Sequence, residues 1–242
     1  MSDSILTGKK IWLTGASRGI GLATAKLLAE SGAVIIASSS DYDVLHSSLT
    51  EQINNKRVIP LKCDVSKAEE VDSVYKKILS QIGILDILIN NAGIGIFKSF
   101  LETNEEDFNK TIDINLRGPF LTQRAVLPEM IKHKSGTIMN ILSVAVNSRF
   151  LNSSVYSASK SALFMMDRII REEVRQYGIK IIDVLPGATI SRMWTDREIE
   201  TNGFRMMKPE DIAISIKQIL ELNSSGNLMT EEIVIKPQMG DL

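Results

Sequence analysis

An apolar run, Ile11-Trp12-Leu13-Thr14, passes directly into Gly15, Gly19 and Gly21, and a helical pattern from Leu22 to Leu28 follows without a break. A strand, a glycine-rich turn and a helix in that order narrow the choice of folds sharply. Glycines let the backbone approach a pyrophosphate at the positive end of the helix that follows. The spacing here is Gly-x-x-x-Gly-x-Gly rather than the more familiar Gly-x-Gly-x-x-Gly. A strand-to-helix turn with no ligand reads the same way, so the turn alone decides nothing about chemistry.

Beyond this turn, short apolar runs alternate with longer helical patterns along the whole chain. Strands are predicted at 10–14, 34–37, 57–62, 84–89, 136–141, 179–185 and 232–235, and helices at 20–31, 41–54, 68–82, 105–133, 154–176 and 209–222. The alternation predicts an α/β fold with a parallel sheet covered by helices on both faces. With 242 residues, 44% of them hydrophobic, and no repeat or linker-like stretch, a single domain over 1–242 is expected.

Charge and composition exclude several partners. A net charge of -1 offers no basic excess for nucleic acid, and no segment approaches the ~20 apolar residues of a membrane span. Met1 to Lys10 lacks a long apolar run, so a cytoplasmic protein is expected. Cys63 is the only cysteine, which excludes an internal disulfide and a cysteine metal cluster. His46 and His133 lack ligand-like neighbours and read as surface residues, so no catalytic metal is expected.

The chemistry-bearing positions lie at the ends of these elements. Tyr156 and Lys160 are four residues apart in a predicted helix and project from one face about one turn apart. A tyrosine ordinarily titrates near pH ~10, and a neighbouring ammonium is expected to lower that value toward useful acid–base chemistry. Ser143 follows the fifth strand, and Asn115, a poor helix former, stands inside a predicted helix. Asp64, followed by Val65, comes after the third strand, where its carboxylate could accept from an adenine amino group. Asn91-Ala92-Gly93 ends the fourth strand at the carboxyl edge, where ligands bind. Taken singly, each reads equally well as an ordinary turn or a satisfied polar residue.

In this order, from Lys9 to about Pro237, the motifs together resemble the short-chain dehydrogenase/reductase family in its single-domain form. The resemblance implies a Rossmann-type doubly wound sheet of seven parallel strands and a nicotinamide cofactor. The implied reaction is reversible reduction of a ketone, aldehyde or 3-oxoacyl group. It places the cofactor turn on Gly15, Ser17, Arg18, Gly19, Ile20 and Gly21, a second cofactor segment on Asn91, Ala92 and Gly93, and a third on Pro186, Gly187 and Ser191. The implied catalytic tetrad is Asn115, Ser143, Tyr156 and Lys160. Tyr156 would exchange a proton with the substrate oxygen and Ser143 would hold that oxygen. Lys160 would bind the nicotinamide ribose and depress the pKa of Tyr156, while Asn115 would hold a water linking Lys160 to solvent. Departures from the family pattern are Ser191 for a common threonine, Val146 for a frequent glycine, and a tail, 236–242, without the usual glycine pair.

NAD-selective sites place an acidic side chain near the end of the second strand. That position is Ser39, followed by Ser40, while Arg18 offers a cation to a ribose phosphate, so NADP is expected. Asp41 keeps NAD open. A substrate pocket is expected from Ile94, Ile96, Phe97, Val144, Val146, Met193, Trp194, Phe204, Met206 and Met207 beneath a short lid at 189–207, with Arg149 and Arg192 able to meet an acidic group. The helix at 154–176 is apolar on more than one face. Ala158, Ala162, Met165 and Ile169 are assigned to the sheet, and Phe164, Ser157 and Ser161 to the outside. A homodimer or homotetramer with Phe164 between subunits is therefore expected, in line with the paired-helix interface that the resemblance implies. A catalytically idle dinucleotide sensor acting on a partner is the alternative; the intact tetrad speaks against it.

Overall fold

The computed structural model describes residues 4–241. Seven strands, β1 (Lys10–Thr14), β2 (Val34–Ser39), β3 (Val58–Lys62), β4 (Ile87–Asn90), β5 (Gly136–Ile141), β6 (Ile179–Pro186) and β7 (Glu232–Ile235), form one sheet in the order β3-β2-β1-β4-β5-β6-β7. Every neighbouring pair is parallel. The helices are α1 (Gly19–Glu30), α2 (Tyr42–Ser48), α3 (Thr50–Asn54), α4 (Ala68–Gln81), α5 (Glu105–Ile112), α6 (Gly118–His133), α7 (Ser154–Val174), α8 (Asp196–Asn202) and α9 (Pro209–Leu222). This is the Rossmann-type doubly wound arrangement.

Strand residues alternate between two cores. Ile11, Leu13, Ile35, Ala37, Ile89, Ile182 and Val184 face a layer built with α1 and α9. Trp12, Ile36, Leu88, Ile138 and Ile181 face the layer that α4 and α6 complete. Covering both faces explains why the strands read as continuous apolar runs instead of alternating ones. The strand order reverses between β1 and β4, so their carboxyl ends diverge into a crevice.

Three helices differ from their predicted form. The helix predicted over 105–133 is interrupted by a π-helical turn, Asp113–Arg117, between α5 and α6. Asn115 lies in that turn and bonds to backbone outside the helix. The helix predicted over 41–54 is two short ones parted at the fully buried Leu49, with Asp41 capping α2 by accepting from the Val44 N–H.

In α7 the predicted faces are reversed. Ala158, Ala162, Met165 and Ile169 are exposed, whereas Phe164 packs against the Leu142, Leu163 and Leu185 cluster beneath the Arg168 guanidinium. The side toward the sheet carries Ser159, Lys160, Leu163, Asp167 and Arg171, all buried. Polar residues line that face because partners on other elements satisfy them. Gln123 donates to Asp167 at 2.9 Å, and Arg171 donates to Asp183 at 2.7 Å, to the Ile181 carbonyl at 2.9 Å and to the Glu231 carbonyl at 3.0 Å. Asp167 Oδ2 and Asp183 Oδ1 each lack an N–H or hydroxyl donor. A proton held on Asp167 answers both, since burial and Asp183 raise the Asp167 pKa well above the ordinary carboxyl range.

Candidate active site

A cleft of about 1420 Å³ runs along the carboxyl edge of the sheet from the glycine turn to α7 and the 189–207 segment. At its start, β1 delivers Thr14 to the turn. The Thr14 hydroxyl accepts from the Asn91 and Ala92 backbone N–H groups at 3.1 Å each, which ties the β1 and β4 loops together. Asn91 returns two bonds, donating to the Thr14 and Gly15 carbonyls at 3.0 Å. At Gly21 a Cβ would lie 2.2 Å from the Gly15 carbonyl oxygen, so no side chain fits there. Gly19 has φ +55° and faces open space, which leaves its backbone bare toward the cleft. This cradle, at the N-terminus of α1, fits a pyrophosphate.

Farther along, Ser39 donates to Ser17 at 3.1 Å and accepts from the Asp41 N–H. Arg18 pairs with Asp41 at 3.3 Å, both side chains half-exposed. The cation that would meet a ribose phosphate is thus already held in place by a carboxylate. Asp64 lines the cleft with Val65, and one of its oxygens accepts from the Ser66 N–H and hydroxyl at 3.1 and 2.7 Å. Burial pushes the nearby Cys63 thiol up to about 12, so it remains protonated.

Three of the tetrad positions, Ser143, Tyr156 and Lys160, line the far end, and the fourth, Asn115, lies fully buried behind it. Lys160, 4% exposed, donates to the Ile141 carbonyl at 2.9 Å. Burial pulls its pKa down to about 8. Ser143 opens a 3₁₀ turn, Val144–Val146, and its oxygen accepts from the Ala145 N–H at 3.1 Å. Asn115 Oδ1 accepts from the Ile94 N–H at 2.9 Å, while its Nδ2 donates to the Ile94 carbonyl at 2.9 Å and to Ser159 at 3.1 Å. Its side chain therefore clamps the loop after β4 to α7, and the π-turn aims it there. π-turns of this kind recur at functional sites.

One electrostatic expectation is overturned. The Tyr156 pKa is raised, not lowered, because desolvation outweighs the hydrogen bond from Ser143, the one group opposing it. At neutral pH Tyr156 is a protonated phenol, the form that gives up a proton.

All the cofactor positions expected from the sequence line the cleft, including Ile20, Ser40, Pro186, Gly187 and Ser191. Of the expected pocket residues, Ile94, Phe97, Val144, Met193 and Trp194 line it, with Arg192 at its edge; Ile96, Val146, Phe204, Met206, Met207 and Arg149 do not. Met206 and Met207, at the end of the segment, are buried, and Phe204 is 77% exposed. Sequence reasoning missed Gly95, Phe150, Leu151 and Asp241. Asp241 is held near the cleft by Lys236 at 2.6 Å and by an Arg205 bond to its carbonyl at 3.3 Å. No local motif announces a tail contact of that kind.

The 189–207 segment is stapled at its base. The Ile190 N–H donates to the Met207 carbonyl at 2.9 Å, the Met207 N–H donates to the Ala188 carbonyl at 3.0 Å, and the Trp194 indole donates to the Thr189 carbonyl at 3.0 Å. No helix among the described residues is long and apolar enough to cross a membrane, and no cluster of three or more His, Cys, Asp or Glu among them is suited to a metal.

A family model described as short chain dehydrogenase matches residues 9–202. The chain is 32% identical to a sepiapterin reductase of Chlorobaculum tepidum, covering 95% of this chain and 96% of that one. A crystal structure of a metagenomic short-chain oxidoreductase in complex with NADP superposes with a TM-score of 0.83 at 29% identity, covering 96% and 98% of the two chains. An alcohol dehydrogenase from the archaeon Thermococcus sibiricus, complexed with 5-hydroxy-NADP, gives a TM-score of 0.86 at 27% identity, covering 97% and 98%.

Proposed function

Because the chain belongs to the short-chain dehydrogenase/reductase family, it is an NAD(P)-dependent oxidoreductase, and we propose that it uses NADP(H) to interconvert a carbonyl and an alcohol with Tyr156 as acid and base. The observation that carries this reading is the convergence of Tyr156, Ser143 and Lys160 at one end of a cleft whose other end is the glycine cradle, with Asn115 fully buried behind them on Ile94 and Ser159. Bound NADPH supplies the hydride. The chain's own residues do the rest. Ser143 holds the carbonyl oxygen, and Tyr156, protonated at neutral pH, delivers a proton to that oxygen as charge develops on it. Lys160, a buried cation below about pH 8, holds the nicotinamide ribose, and the Ser143 hydrogen bond favours the phenolate left behind. Asn115 keeps one Oδ1 lone pair for a water joining Lys160 to solvent.

Arg18 at the adenosine end, with Ser39 and Ser40 instead of an acid at the close of β2, supports NADP over NAD, and Asp41, its partner at 3.3 Å, is the group a ribose phosphate would displace. The NADP complexes of the two structural relatives agree with it. The 189–207 segment, stapled at its base, serves as a lid. A second copy of the chain covers the exposed stripe of Ala158, Ala162, Met165 and Ile169 on α7, giving a homodimer or homotetramer. Consumption of NADPH against a panel of ketones, aldehydes and 3-oxoacyl thioesters tests the activity; no consumption with any of them would reject it.

A further inference from the structure

The wall beside Tyr156 carries an aromatic group. The Phe97 ring lies 5.4 Å from the Tyr156 ring, tilted by 58°, yet Phe97 remains 46% exposed. It reaches this place by folding back over Gly95, where a Cβ would meet the ring at 2.7 and 2.8 Å. The Met193 thioether converges on the same spot, 3.4 Å from that Cβ position. Any other residue at position 95 would displace the ring, so glycine there gives Phe97 its place. The backbone bond from the Lys98 N–H to the Asn152 carbonyl, 2.9 Å, joins this loop to the one leading into α7.

Three of the surrounding charged groups are engaged elsewhere. The Glu198 carboxylate accepts from the Thr195 N–H and hydroxyl at 2.8 and 2.7 Å, Asp241 pairs with Lys236, and Lys160 is bonded to the Ile141 carbonyl. Arg192 stands exposed at the edge. Beside the phenol stands an aromatic ring, and the same cleft is lined by the Met193 sulfur and the apolar chains of Ile94 and Val144. Aromatic rings prefer tilted or offset partners at such distances, and thioethers favour ring edges.

Resting on the oxidoreductase reading above, we propose that the substrate is an aryl carbonyl, with a flat ring attached to the reacting carbon and seated against the wall that Phe97 and Met193 form together. Hydride from NADPH forms the new C–H bond at that carbon as the carbonyl π bond breaks. The Tyr156 proton goes to oxygen, giving a benzylic alcohol and NADP⁺. Phe97 is a specificity-determining residue in this scheme.

Two measurements test it. In the first, NADPH-dependent turnover of acetophenone is compared with that of cyclohexyl methyl ketone, which matches it in size but has a saturated ring. The wild type should favour the aryl ketone by about 2- to 13-fold in kcat/KM. Phe97→Leu keeps apolar bulk without the ring and should bring the ratio close to one, mainly through KM, and Gly95→Ala should do the same. Equal use of both ketones by the wild type, or a preference that survives Phe97→Leu, would overturn the proposal while leaving the oxidoreductase reading intact. In the second, binding of benzamide and cyclohexanecarboxamide to the NADP-saturated protein is followed by calorimetry, which needs no turnover. Tighter benzamide binding that Phe97→Leu abolishes would uphold the aryl site even if no carbonyl were reduced. Equal binding of the two amides would reject it.

Discussion

Replacing Arg171 by methionine removes one guanidinium and three hydrogen bonds, two of them buried, while keeping most of the side-chain volume. Arg171 is 2% exposed and Asp183 fully buried, so the carboxylate would be left without its 2.7 Å partner, and the Ile181 and Glu231 carbonyls would each lose a donor. Removing one partner of a buried pair costs about 3–5 kcal/mol. For a chain of this size that is a fall of roughly 6–20 °C in Tm. The loss should depend on pH. Burial raises the Asp183 pKa to about 6, above the ordinary carboxyl value near ~3.9, so the folded protein holds this proton more tightly than the unfolded chain does. Ionising Asp183 therefore costs stability as pH rises between those two values. Without Arg171 the folded pKa climbs further, extending this loss above pH 6. Each added unit is about 1.4 kcal/mol of deficit. The deficit should be largest near pH 8 and shrink toward pH 5, and Asp183→Asn in the same background should recover much of it. Thermal and urea unfolding followed by circular dichroism at both pH values measures this. A deficit below about 1 kcal/mol, or one equal at pH 5 and pH 8, would refute the assignment of a charged Arg171–Asp183 pair.

Three further substitutions probe other parts of the site and surface. Arg18→Ala should weaken NADPH by about 1.5–3 kcal/mol, the range for a charged hydrogen bond, and scarcely affect NADH; equal losses by fluorescence titration would mean that Arg18 shapes the turn instead. Gly21→Ala places a Cβ 2.2 Å from the Gly15 carbonyl oxygen and should raise the NADPH Kd by about 10-fold or more, as a misshapen cradle requires; an unchanged Kd would remove the cradle from the binding site. Ile169→Asp puts a charge on the exposed α7 stripe and should dissociate the oligomer at micromolar concentration; light scattering that finds a monomeric wild type would discard the interface.

The parts of this molecule that the sequence made legible are those written in local periodicity. The apolar runs locate the strands, and the glycine turn with Tyr156 and Lys160 locates both ends of the cleft, because spacing within one element determines which side chains share a face. What escaped depends on partners far away in the chain. The faces of α7 were misassigned because Ser159, Asp167 and Arg171 look like surface residues until Asn115, Gln123 and Asp183 arrive from other elements to satisfy them. The direction of the Tyr156 shift followed from Lys160 on paper, whereas in the fold burial dominates. Leu49, fully buried, splits a helix whose pattern reads as continuous, and the partner of Asn115 in the π-turn, Ile94, lies 21 residues earlier. Phe97 reached the site through Gly95, a position no spacing rule marks.

The most direct test of the account is steady-state NADPH turnover by Tyr156→Phe with the best carbonyl substrate, alongside cofactor binding by the same variant. The phenyl ring preserves the packing against Phe97 and removes only the hydroxyl. Turnover should fall by ~10²–10⁴-fold, the usual contribution of a positioned proton donor, while NADPH affinity stays within about 2–3-fold of wild type. A variant that retained most of its turnover would show that Tyr156 is not the acid, and the proposed mechanism would be wrong.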